Sequence, residues 1–93
     1  MKNTYYTVAY LENSDIIKTE LCLTNLQMDC LKLEVEEYGI GNTIFLYEVA
    51  LDVYKKDSTM YNFTSAKIEF LKTLKKVMNN FDNPKKSPKL AYN

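Results

Sequence analysis

The chain contains no histidine, no arginine and no tryptophan. Without an imidazole there is no Ser-His or Cys-His nucleophile pair, no side-chain base titrating near neutrality and no His-containing zinc site. Most hydrolase templates are thereby excluded. Without a guanidinium there is no planar, two-pronged clamp for carboxylate or phosphate, and every cation is a lysine point charge on a flexible stem. Glycine, proline and cysteine occur twice each. Cys22 and Cys30 match neither a CxxC redox pair nor a zinc ribbon, and in a reducing compartment both are expected to remain free thiols. Long apolar runs are missing too. Ile44-Phe45-Leu46-Tyr47 is stopped by Glu48, far short of the roughly 20 residues of a spanning helix. Met1 to Tyr10 has no apolar stretch leading to a small-residue cleavage site, and the expected compartment is the reducing cytoplasm.

What is present is a chain of 93 residues, 46% hydrophobic and 26% charged, with eight tyrosines. That composition predicts one small globular domain, burying somewhat over about 60% of the surface its unfolded chain exposes. The net charge of zero conceals a polarity along the sequence. Residues 1–66 carry ten acids and five lysines, net −5, whereas residues 67–93 carry seven lysines and two acids, net +5.

Local patterning predicts a β-hairpin first. Thr4 to Glu12 alternates Tyr6, Val8 and Tyr10 against Tyr5, Thr7, Ala9 and Leu11, and Ile16 to Leu23 sets Ile17, Leu21 and Leu23 against Lys18 and Glu20. Glu12-Asn13-Ser14-Asp15 between them reads as the turn. Thr24-x-x-Gln27 is a capping-box signature and Gly39 a stop signal, which together predict a helix over residues 25–38. The alternation Leu31-Lys32-Leu33-Glu34-Val35-Glu36 offers a strand as the rival. Residues 43–54 read as a third strand, with Phe45, Tyr47, Val49, Leu51 and Val53 on one face. Residues 55–63 read as a connection holding a short extra strand at 59–63. A last amphipathic helix is expected from a cap at Thr64 or Ser65 to about Phe81. It sets Phe70, Leu71, Leu74, Val77, Met78 and Phe81 against Lys72, Lys75 and Lys76. The expected fold is an α+β domain over residues 1–83, ordered strand-strand-helix-strand-helix, whose antiparallel sheet is covered on one face by two helices. Residues 84–93, with Pro84 and Pro88, would form a polar, mobile tail.

Three surfaces are candidates for function. With helices on one face, the other face of the sheet would show Tyr5, Leu11, Ile16, Ile44 and Leu46, a half-apolar surface suited to a protein partner or a second copy. The acids Asp29, Glu34, Glu36 and Glu37 could engage a basic patch on a partner, including the nucleic-acid channel of an enzyme. They lack the spacing of a calcium loop, so no metal is expected, and nothing points to a cofactor. Lys72, Lys75 and Lys76, with Lys85, Lys86 and Lys89 in the tail, could follow a phosphate backbone. Each surface also has a structural explanation: a plain Tyr-rich exterior, or two charged faces balancing each other. The functional expectation is a non-catalytic binding protein acting through protein–protein contact, expected as a homodimer, with no membrane partner. A Lys-driven nucleic-acid regulator is the alternative. Lysine as the only cation, with abundant Asn and Tyr, is what AT-rich coding produces. It suggests an accessory protein of a phage or mobile element that inhibits a bacterial nucleic-acid-handling or defence enzyme.

Overall fold

In the computed structural model, which describes residues 2–82 and side chains up to residue 79, the first two elements are β1 (Asn3–Glu12) and β2 (Asp15–Thr24). They pair antiparallel from Asn3 opposite Thr24 to Glu12 opposite Asp15. Asn13 and Ser14 form the two-residue turn with φ of 53° and 72°, the positive-φ pair whose twist matches that of paired strands. Alternation then separates the faces. Tyr6, Val8, Thr19, Leu21 and Leu23 turn inward, and Leu21 and Leu23 are buried.

Thr24 ends β2 and caps α1 (Asn25–Tyr38). Its hydroxyl accepts from the Gln27 amide at 3.1 Å, while its own amide donates to Gln27 Oε1 at 2.9 Å. The capping box therefore decides in favour of the helix over the strand at residues 25–38. Met28 and Leu31 are its buried side chains, and the second apolar row, Leu26, Cys30 and Leu33, faces outward. Gly39 closes the last turn of α1 by donating its amide to the Val35 carbonyl at 2.8 Å, and its backbone angles end the helix there. Its φ of 87° and ψ of 151° lie in the extended positive-φ region open essentially to glycine alone.

Residues 43–54 are not a third strand. The chain passes directly from Gly39 into a second helix, α2 (Ile40–Leu51). The Thr43 amide donates to the Gly39 carbonyl at 3.0 Å, and the Thr43 hydroxyl, itself buried, donates to that carbonyl at 2.8 Å. Asn42 Nδ2 reaches back to the Tyr38 carbonyl at 2.9 Å. The Asn42 bond thus satisfies one of the carbonyls that α1 leaves unpaired at its end, and the Thr43 bonds satisfy that of the Gly39 cap. The misleading alternation has a physical source, because α2 is apolar on both of its sides and a run of that kind fits period two and period 3.6 alike.

The expected extra strand at 59–63 is likewise helical. Helix α3 (Thr59–Asp82) begins nearly two turns earlier than predicted. Ser58 supplies the cap, its Oγ accepting the Tyr61 amide at 3.1 Å and its carbonyl the Asn62 amide at 3.0 Å, so Thr64 lies buried inside the helix. The architecture is therefore a two-stranded antiparallel hairpin followed by three helices. Helix α3 lies against both strands, α1 against β2, and α2 against α3 and α1. Ile68, Phe70 and Leu71 of α3 meet Leu21, Leu23, Met28, Leu31 and Ile44 in one core. Thr19 and Thr73 share a 2.6 Å hydrogen bond between the hairpin and α3. The tail predicted at 84–93 lies outside the described residues.

Candidate protein-binding surface

The candidate surface rests on how α2 is sandwiched. Ile40, Thr43, Ile44, Tyr47 and Leu51 turn toward α1 and α3 and are buried or half-buried. At 3.6 residues per turn, Phe45, Leu46 and Val49 fall on the opposite side, 60%, 48% and 48% exposed, and Val53 just past the helix end is 79% exposed. A surface helix normally shows polar residues there. Phe45, at one margin of this stripe, also borders an open groove between α2 and α3 whose other wall carries Lys72, Lys75, Lys76 and Asn79.

On the inner side of α2, three helices bring ionisable groups together. The Tyr47 hydroxyl donates to Glu34 Oε1 on α1. Lys67 of α3 sets its ammonium 4.5 Å from the centre of the Tyr47 ring and 4.8 Å from that of Phe63, a cation–π arrangement. Burial, and then the bond and charge of Glu34, push the Tyr47 phenol above its usual range. Burial lowers Lys67, with Glu34 and Cys30 partly opposing it. This cluster ties α1, α2 and α3 together, and no short-range signal could have revealed it, because its members stand on three separate elements.

The raised phenol has a measurable consequence. The folded state holds the Tyr47 proton to higher pH than the unfolded chain does, so its contribution is complete below the ordinary phenol value of about 10 and is lost as pH rises above it. Lys67, being lowered, acts in the opposite sense below its ordinary value of about 10.4. Tyr47→Phe should therefore lose stability at pH 7 and show a smaller further loss between pH 9 and 11 than the parent. Urea midpoints at the three pH values measure it, and parallel losses would show that the phenol carries no linkage.

The other predicted residues are distributed unequally. Tyr5, Leu11 and Ile16 lie on the uncovered hairpin face, all exposed, with Leu11 directly opposite Ile16. Ile44 and Leu46 do not join them, since both belong to α2, where Ile44 is buried and Leu46 faces outward. The acids do not form one surface either. Asp29 and Glu36 share a side of α1, Glu37 points about a quarter-turn away, and Glu34 is turned inward to Tyr47. Lys72, Lys75 and Lys76 do line one groove, and Lys72 pairs with Glu48 of α2 at 3.3 Å rather than with the acids of α1. Lys85, Lys86 and Lys89 lie outside the described residues. Cys22 and Cys30 are free, half-buried and exposed respectively. Among the described residues no three metal-ligating side chains cluster, and no helix is long and apolar enough to cross a membrane. Comparison of the chain with protein-family models, with curated proteins and with solved structures finds no match.

Proposed function

We propose that this chain is a non-catalytic binding protein and that the outer stripe of α2 is its protein-docking surface. The observation that carries this reading is the exposed apolar row Phe45, Leu46, Val49 on a helix whose opposite side is already packed into the core. Exposed apolar rows of this kind commonly mark contact surfaces. The partner fits best as a protein with an apolar, helix-accepting cleft and an acidic rim, because Lys75 and Lys76 stand beside the Phe45 end. The setting suggested by residue usage is retained: an accessory protein of a phage or mobile element whose contact occludes a bacterial nucleic-acid-handling or defence enzyme.

Phe45→Ser with Val49→Ser tests the reading. The double variant should keep the circular dichroism and melting temperature of the parent within a few degrees, since neither side chain is buried. It should lose at least about tenfold in affinity for the protein that the parent captures and that is then confirmed by calorimetry, as removing a central aromatic anchor requires. Undiminished affinity would place the interface elsewhere.

A second reading, contact with single-stranded nucleic acid, is favoured by one observation: Phe45 and three lysines border the same groove, the pairing of stacking platform and cations that such strands use. Lys75→Gln with Lys76→Gln would then abolish a steeply salt-dependent binding of oligonucleotides. Parent protein with no such binding at low salt would dispose of it.

A further inference from the structure

A different surface, independent of α2, carries a separate inference. A two-residue turn closes on a hydrogen-bonded pair, here Glu12 and Asp15. The ladder bonds between the strands therefore fall on the even-numbered residues of β1. Its odd-numbered residues, Asn3, Tyr5, Thr7, Ala9 and Leu11, direct their amides and carbonyls to the outer edge. Among the described residues no other strand pairs with that edge, and none of these groups bonds to the backbone of another element. Free edges are ordinarily guarded by lysine, proline or a bulge. From Thr4 to Leu11 β1 has no charge and no proline, and its register with β2 is unbroken. The edge of β2 is guarded, with Lys18 and Glu20 at outward positions.

We infer that β1 pairs antiparallel with β1 of a second copy, joining two hairpins into a four-stranded sheet. Outward residues must oppose outward residues, so the sum of paired residue numbers is even. Of those registers, the one centred on Thr7 opposite the partner's Thr7 pairs every residue from Lys2 to Glu12. It sets Tyr5 against the partner's Ala9, and Lys2 against the partner's Glu12 at both ends of the strand, two ion pairs related by the two-fold axis. The helix-bearing faces of both copies fall on the same side. The midlines of the hairpins are then two strand spacings, about 9.6 Å, apart. That spacing sets the helical layers of the two copies side by side, since each α3 is seated on both of its own strands. A second copy therefore satisfies the edge and the charges together.

Sedimentation of the full chain over a concentration series tests the inference. The parent should be dimeric, and Thr7→Pro should weaken the dimer on the order of a hundredfold, because both hydrogen bonds at the axis are lost. The intrachain ladder does not use the Thr7 amide, so the variant should keep its circular dichroism. Glu20→Pro, the same change at an outward position of β2, serves as the control and should remain dimeric. Glu12→Lys should weaken the dimer about tenfold through two pairs of like charges, and combining it with Lys2→Glu should restore it. A monomeric parent, a Thr7→Pro dimer of parental affinity, or a dimer that appears only on truncation after Asp82 would overturn the inference, the last by assigning the edge to the chain's own tail. None of these outcomes bears on Phe45 and Val49, whose test reads a different partner.

Discussion

Leu71→Ala is expected to destabilise the protein by about 2–5 kcal/mol, the range for truncating a buried leucine. Leu71 is 1% exposed and belongs to the core shared by the hairpin and all three helices. Truncation would leave a cavity that α3 cannot close, because the same helix is held against both strands and against α2. In a domain of this size each kcal/mol moves the melting temperature by about 4–8 °C, so a fall of at least about 8 °C should be seen by calorimetry. Met78→Ala, farther along α3 and 40% exposed, should cost much less. Equal losses at the two positions would mean that the core is not centred where Leu71 stands.

The second large effect is expected at the junction of α1 and α2. Gly39→Ala should cost about 1–3 kcal/mol through backbone strain alone, since φ is 87° and an added Cβ would meet nothing within 4 Å. Gly39→Asn should not recover the loss. Asparagine is tolerated in the left-handed helical region, but a ψ of 151° lies outside it. Gly41→Ala, two residues on and inside α2, should act in the opposite direction. Its new Cβ would sit 3.6 Å from Lys75 Nζ, an ordinary contact, and alanine is favoured over glycine in a helix by up to about 1 kcal/mol. Opposite shifts in urea midpoint for these two variants would establish that α1 passes straight into α2. A stabilising Gly39→Ala would refute the junction.

That junction is also where sequence reasoning parted from the structure. Gly39-Ile40-Gly41-Asn42 contains the residues of a turn into a strand. Yet Gly39 alone makes the bend, while Gly41 and Asn42 already belong to α2. The candidate interface suffered from the same ambiguity. Tyr5, Leu11 and Ile16 were legible as outward positions because strand alternation assigns them locally, whereas Ile44 and Leu46 depended on the mistaken third strand. The stripe Phe45, Leu46, Val49, Val53 was available at helical spacing, but it could be recognised only once residues 40–51 were known to be a helix. The scatter of Asp29, Glu34, Glu36 and Glu37 likewise followed from helix phase and from the inward turn of Glu34 to Tyr47.

The sequence by itself determined the elements whose signals are local: the hairpin, through alternation and the Asn13-Ser14 turn, and the limits of α1, through the Thr24–Gln27 box and Gly39. It also determined the core face of α3 around Leu71. Tertiary structure alone decided that residues 40–51 are helical, because a segment apolar on both sides has no periodicity to choose by. The choice came from bonds and packing across elements, with Thr43 held at the end of α1 and Ile44 and Tyr47 fitted between α1 and α3. Helix formation then leaves Phe45, Leu46 and Val49 in solvent, since one side of a helix can pack against its own protein while the other has nothing of the described chain to bury it.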